Sequence, residues 1–246
     1  ALTAARRGHS VTLWEKGRAL GGQLLPAAVP PHKDRIGSYT RYLIAELGRT
    51  GVHSELERKA TPEAVAEAAP DAVIVATGPR PLAAAIPGIA RARAVEADAV
   101  LAGSARTGRR VVIAGGELVG CETAEFLAEH GRMVTVVRRG SEMATKMGPS
   151  LRPFVLERLR QKGVVLLSGV RYVEARPGSL VVAMPDGSVA ALPFDTLVLA
   201  TGSGGDATLP GALKGTVQEV HAVGDCVRPG FIVDAVRDGY TAGCAV

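Results

Sequence analysis

Apolar residues recur along this chain with two periods, close to two and close to three and a half, and the switches between them lay out alternating strands and helices. Val11, Leu13 and Trp14 make a short strand within Ser10 to Glu15, and the residues before it read as the tail of a helix. Pro-rich residues 26 to 31 read as a loop. From Asp34 to Arg49, Ile36, Tyr39, Leu43, Ile44 and Leu47 share one helical face, and Gly51 ends that run. Thr61 and Pro62 form an N-cap and first-turn pair for a short helix to Ala69, and Asp71 to Ala76 is a buried strand. Residues 79 to 108, rich in Pro, Gly and Ala, read as a linker.

A second stretch repeats the scheme. Val111 to Ala114 is a strand, Gly115 to Gly120 a tight turn, Cys121 to His130 a helix and Met133 to Val137 the next strand, which together make one βαβ unit. Ser150 to Lys162 is helical, Val164 to Leu167 a strand, and Ser179 to Leu192 a hairpin turning at Pro185-Asp186-Gly187-Ser188. Asp195 to Ala200 is a buried strand, Gly224-Asp225 follows a short strand, and a helix runs from about Ile232 into the C-terminus. Asp71-Ala-Val-Ile-Val-Ala-Thr-Gly78 and Asp195-Thr-Leu-Val-Leu-Ala-Thr-Gly202 are near copies of each other. The echo and the strand-helix alternation predict an α/β chain of two doubly wound units.

Composition narrows the function classes. The 246 residues are 47% hydrophobic and 22% charged, as in an ordinary globular chain. No apolar run reaches the ~18 residues of a membrane span, and the opening residues lack the apolar stretch of a signal peptide. The net charge of +5 is spread along the chain without a basic run or aromatic stacking platform, which argues against nucleic acid and membrane partners. Cys121, Cys226 and Cys244 are odd in number and far apart, so they form neither a disulfide framework nor a CxxC pair, and a cytoplasmic setting is expected. Cys121 and Cys226 read as packed thiols.

A dinucleotide site needs glycine at the first turn, where side chains would keep a pyrophosphate from the helix N-terminus, and a ribose-reading residue at the end of the second strand. Gly115-Gly116-Glu117-Leu118-Val119-Gly120 meets the GxGxxG template at its first and third glycines, with Glu117 in place of the second. Pointing inward, that carboxylate would repel a phosphate by about 4 kcal/mol at about 4 Å and an effective dielectric of about 20; pointing to solvent, it would cost far less. Arg138 and Arg139 end the second strand, where arginine suits the 2′-phosphate of NADP. In the first stretch Glu15 ends a strand in position for an adenosine ribose, and Gly21-Gly22-Gln23 lets backbone pass close to a phosphate or ring.

These residues carry a resemblance. The constellation resembles the two-dinucleotide-domain flavoproteins of the pyridine nucleotide-disulfide reductase class. The run Val223-Gly-Asp-Cys-Val-Arg-Pro-Gly-Phe-Ile-Val-Asp-Ala-Val-Arg-Asp-Gly-Tyr240 and the segment Leu118-Val-Gly-Cys-Glu-Thr-Ala124 are most similar to the C-terminal reductase half of the 2,4-dienoyl-CoA reductase and trimethylamine dehydrogenase group. The likeness spans essentially the whole chain. It implies two nested Rossmann-like domains: a discontinuous FAD-binding domain over 1–106 and 203–246, lacking its opening strand and Gly-rich turn, and an NAD(P)-binding domain over 107–202.

By the same resemblance Glu15 would bind the adenosine ribose of FAD, Gly21, Gly22 and Gln23 would line the flavin side, and Ala76, Thr77 and Gly78 would mark the crossover. Gly115, Gly116 and Gly120 would hold the NAD(P)H pyrophosphate with Arg138 and Arg139 beside the ribose. Ala200, Thr201 and Gly202 would close that domain, and Gly224 and Asp225 would meet FAD. FMN, a 4Fe-4S cluster and the substrate base would belong to an N-terminal barrel outside this chain, so the chain is expected to be a fragment. Two functions follow: a reductase module passing hydride from NAD(P)H to FAD, or a non-catalytic scaffold holding ADP, as in the amine dehydrogenases of the group.

Overall fold

The computed structural model describes residues 1–246 and divides into two compact units: Ala1–Leu25, Arg35–Pro81 and Ser203–Val246, and Pro26–Asp34 with Leu82–Gly202. No helix is long and apolar enough to cross a membrane.

In the first unit two parallel strand pairs form the framework. Thr12–Trp14 pairs with His53–Glu55, and Ala72–Val75 pairs with Glu219–Ala222; no strand in the unit joins the two pairs. The helix Asp34–Arg49 has the expected bounds, and its Glu46 takes ion pairs from Arg6 at 2.6 Å and Arg49 at 2.7 Å. Pro62–Ala68 is helical, with the Thr61 hydroxyl accepting the Ala64 amide at 3.2 Å, the cap that the Thr-Pro pair predicts. The C-terminal helix Ile232–Ala245 lies against the opening helix Leu2–Arg6 so closely that a Cβ on Gly243 would stand 2.8 Å from Thr3 Cβ. Val65, Val75, Leu213 and Cys226 form the buried core beside Trp14 and Val73.

The second unit is a five-stranded parallel sheet in the order Ala94–Glu96, Thr196–Leu199, Arg110–Ala114, Met133–Val137, Val165–Leu167. Alternation along Arg110–Ala114 sorts its two faces. Val111 and Ile113 enter the cluster under the helices, with Cys121, Ala124 and Leu127 of Leu118–Glu129 and Val155 and Leu159 of Arg152–Gln161. Val112 and Ala114 point the other way, onto Tyr172, Leu180 and Val182 of the antiparallel meander Arg171–Arg176, Ser179–Ala183 and Val189–Pro193. Both faces are covered, which is why these strands read as near-continuous apolar runs.

Several expectations need correcting. Residues 79–108 are no linker: Ala94–Glu96 bonds in parallel to Thr196–Leu199, and the helix Ala97–Leu101 buries Ala97 and Val100 in the core of the second unit. The boundary expected at residue 106 therefore falls after Pro81. Pro26–Asp34 also belongs to the second unit, where Lys33 pairs with Glu122 at 2.5 Å, and part of the expected loop is the short helix Leu24–Ala27. The strands His53–Glu55 and Arg171–Arg176 and the helix Thr208–Leu213 were not expected.

Candidate functional site

The turn after Arg110–Ala114 is built from close contacts that only glycine permits. Gly115 has φ +119°, and a Cβ there would lie 2.1 Å from the Ala200 carbonyl oxygen. Ala200 is held in place by its amide donating to the Ala114 carbonyl at 2.8 Å. On Gly120, in the first turn of Leu118–Glu129, a Cβ would meet the Gly115 oxygen at 1.8 Å. The first and third glycines of the template thus fit helix to strand, and the second Ala-Thr-Gly segment closes against them.

A cavity of about 230 Å³ opens beside this turn, within the second unit. Gly115, Gly116, Arg138, Arg139 and Thr201, all expected, line it together with Ala200. Glu117, Gly140 and Tyr172 complete the wall. Gly120 sits in the helix beneath, and Gly202, φ +103°, is outside the lining. Nothing in the amino-acid pattern marks Tyr172, because its strand Arg171–Arg176 carries no clear alternation. Its hydroxyl donates to the Val137 carbonyl at 3.1 Å, and the Arg139 guanidinium stands 5.9 Å from its ring centre.

Glu117 points neither freely to solvent nor, unpaired, into the cavity. Its backbone is extended, φ −88° and ψ −163°, and its side chain caps no helix amide. The carboxylate instead pairs with Arg138 Nη2 at 2.5 Å and accepts the Thr145 hydroxyl at 2.6 Å and the Lys146 amide at 3.1 Å. Burial pushes this carboxyl up, but the Thr145 hydroxyl, the Lys146 amide and the Arg138 and Lys146 charges outweigh it, and the group rests below the usual carboxylate range. Arg138, expected free beside a ribose, is folded over Gly116 and Gly140 and committed to this carboxylate; its Nη1 is buried with no hydrogen-bond partner.

The first unit brings part of its expected set together. Ala72–Val75 and Glu219–Ala222 are parallel and in register, so Ala76-Thr77-Gly78 and Gly224-Asp225 leave neighbouring strand ends, tied by the Val223 amide donating to the Val75 carbonyl at 3.0 Å. Gly224 has φ +65°, and Asp225 Oδ1 accepts the Gly230 amide at 3.1 Å. Glu15 directly follows the strand Thr12–Trp14 of the other pair, its Oε1 accepting the Gly17 amide at 2.6 Å, with Gly21, Gly22 and Gln23 in the turn that follows. Gly22, φ +49°, and Gly78, φ +77°, have open space where a Cβ would be; Gly21, φ +125°, is packed against Leu25 and Thr40. Asp206 lies beside the Gly224–Cys226 turn. Bonds from Thr208, then the charges of Arg80 and Lys16, hold its carboxyl low, and its amide donates to the Cys226 carbonyl at 2.8 Å. Cys121 and Cys226 are both buried.

Comparison with known proteins identifies the family. The pyridine nucleotide-disulphide oxidoreductase family model matches residues 1–239. An NADH oxidase of Thermoanaerobacter brockii is 36% identical, covering 98% of this chain and 38% of its own length. A bilirubin reductase of Mediterraneibacter gnavus is 37% identical, with the same two coverages, 98% and 38%. The solved structure of 2-naphthoyl-CoA reductase with 2-naphthoyl-CoA superposes with a TM-score of 0.97 at 27% identity, over 100% of this chain and 37% of that one. The chain thus spans about two fifths of the curated relatives it matches, and its expected likeness to one half of larger flavin oxidoreductases is borne out. The family's enzymes work with FAD and NAD(P)H. The chain belongs to the pyridine nucleotide-disulphide oxidoreductase family.

Proposed function

We propose that the cavity beside Gly115 binds NAD(P)H, that Glu15, Gly21, Gly22, Gln23, Thr77, Gly78, Gly224 and Asp225 bind FAD, and that the chain is the reductase half of a dienoyl-CoA or enoate reductase-like flavoenzyme. The observation that carries the reading is the buried, unpartnered Nη1 of Arg138 beside a glycine turn. An orphaned charged donor is costly in a protein interior, and a phosphate oxygen is the partner that removes the cost. The Gly115 cradle fits as well, since a Cβ there would meet backbone.

Bound together, the two nucleotides supply hydride donor and acceptor. The chain's own part is to bind and orient them: backbone amides at the start of Leu118–Glu129 for the pyrophosphate, Thr201 at the cavity's edge, and Glu15 as acceptor for a ribose hydroxyl. Arg139, exposed and in no ion pair, favours NADP over NAD. FMN, a 4Fe-4S cluster and the organic substrate's site are assigned to an N-terminal barrel such as the remaining length of the longer relatives could hold.

The Glu117–Arg138 pair favours a second reading, a scaffold that holds ADP and takes no nicotinamide nucleotide. Anaerobic mixing of the FAD-loaded chain with NADH and with NADPH separates the two. Bleaching of the oxidised flavin by either is expected. An unchanged flavin spectrum with both, alongside retained FAD, rejects hydride transfer and leaves the scaffold.

A further inference from the structure

We propose that Glu117 latches the segment Met143–Lys146 across the glycine turn as a strap, and that an incoming dinucleotide opens the strap by taking the carboxylate's place on Arg138. The proposal rests on the reading of the cavity as a nicotinamide nucleotide site.

The strap is fastened by five hydrogen bonds and by burial: the Met143 carbonyl accepts Arg152 Nε at 2.8 Å, Arg138 Nη2 donates to Thr145 Oγ1 at 3.1 Å, and Met143 and Ala144 are buried in the core of the second unit. The Ala144 amide donates to the Gly116 carbonyl at 2.7 Å, and the Thr145 hydroxyl and Lys146 amide donate to the two oxygens of Glu117 at 2.6 Å and 3.1 Å. Met143 lies so close over the turn that its sulfur is 2.3 Å from where a Gly116 Cβ would be. Two of the five bonds are made by the residue that replaces the template's second glycine, so a glycine at this position would leave Thr145 and Lys146 with Arg138 alone while Met143 and Ala144 stay anchored.

Two features of the latched state are unfavourable. Ala144 is buried and sits at φ +53°, in the left-handed region that a residue with a Cβ enters at a cost. Arg138 spends Nη2 on Glu117 and on Thr145 Oγ1, 3.1 Å away, while Nη1 has no partner. Nη1 has almost no surface in this state, so an outside anion reaches it only if Glu117 or the strap moves. A phosphate presents more acceptor oxygens than Glu117 offers Arg138, and one fork-like contact would satisfy both nitrogens. Exchange of carboxylate for phosphate therefore satisfies the orphan donor and frees the strained segment. Glu117 is thus an internal competitor for the dinucleotide's own anion seat.

The test is titration of the 246-residue chain, unmodified and as Glu117→Gln, with NADH and NADPH. Glutamine keeps the size and removes the charge that competes, and it should tighten binding about tenfold. Tightening of both nucleotides puts the exchanging anion at the pyrophosphate, and of NADPH alone at the 2′-phosphate. Equal or weaker binding by the variant overturns the latch while the nucleotide site stands. Binding of neither nucleotide by either form removes the site itself. Amide hydrogen exchange in the unmodified chain gives an independent readout should the variant fail to fold. Saturating NADH should speed exchange at Ala144 and Lys146, and unchanged or slowed exchange there overturns the strap's release.

Discussion

Gly120 and Gly115 are in backbone contact across the strand-to-helix turn: a Cβ on Gly120 would stand 1.8 Å from the Gly115 carbonyl oxygen. Neither the rigid strand end nor the first helical turn can give by the required distance. Gly120→Ala should cost about 3 kcal/mol or more in unfolding and abolish NAD(P)H binding. Gly239, inside the helix Ile232–Ala245, has nothing within 4 Å of its would-be Cβ, so Gly239→Ala should instead stabilise by about 0.5–1 kcal/mol. Denaturant midpoints of the two variants should shift in opposite directions.

A second prediction concerns Glu125, whose side chain is only 3% exposed and is shared by Arg158 Nε at 2.7 Å, Arg158 Nη2 at 3.0 Å and Lys162 Nζ at 3.1 Å. The cluster ties the helix Leu118–Glu129, which begins at the cavity, to Arg152–Gln161. Arg158→Ala leaves a buried carboxylate with Lys162 alone and should cost about 3 kcal/mol. Burial raises the Glu125 carboxyl, but its bonds to Arg158 and Lys162 leave it below the ordinary value. A depressed folded value means that the contribution is present above the unfolded pKa, about 4.3, and is lost as pH falls through the folded one. The variant's deficit should therefore be largest near neutrality and shrink on acidification. A deficit independent of pH would show that packing, not the ion pair, supplies the stability.

How much of this was legible in the sequence depended on whether the signal was local. The helix Asp34–Arg49 and the strand Met133–Val137 carry their own period and their own boundaries, and both have the expected bounds. Gly115, Gly116, Arg138, Arg139 and Thr201 follow directly on strand ends, so finding the strands found them. Ala94–Glu96 is a strand only because Thr196–Leu199 lies beside it, and nothing in an alanine-rich segment announces that partner. Tyr172 enters the cavity from an antiparallel strand whose partner shifts register between Val181 and Val182, which blurs the alternation. The partners of Glu117 depend on Ala144 turning left-handed, a conformation its residue type argues against.

Cys121 supplies a third prediction. Its thiol is fully buried under the glycine turn, with Gly116 oxygen 3.6 Å from Sγ, and burial pushes its pKa up to about 12. The folded chain should therefore leave it unmodified by thiol reagents near neutral pH, while Cys244, half-buried, reacts first. Because the folded value lies above the ordinary thiol value of 9.0, the neutral thiol's contribution is complete below about 9 and is lost as pH rises toward about 12. Cys121→Ala should flatten that alkaline loss of stability. Rapid labelling of Cys121 in the native state would contradict its burial.

The last prediction separates the two arginines. Arg138 is engaged by Glu117, whereas Arg139 is exposed, unpaired and held above the Tyr172 ring. A 2′-phosphate would meet Arg139 without first breaking an ion pair, so Arg139→Ala should weaken NADPH about tenfold while changing NADH little. Tyr172→Phe keeps the ring and loses only the bond to the Val137 carbonyl, a loss of about 1 kcal/mol in stability, and should leave the NADPH to NADH ratio unchanged. Tyr172→Ala removes the support for the guanidinium and should lower the ratio in the same direction as Arg139→Ala. Competition titrations of both nucleotides against the three variants measure these ratios. If Arg139→Ala weakens NADH as much as NADPH, the residue serves the pyrophosphate and the preference for NADP has no reader on this strand end.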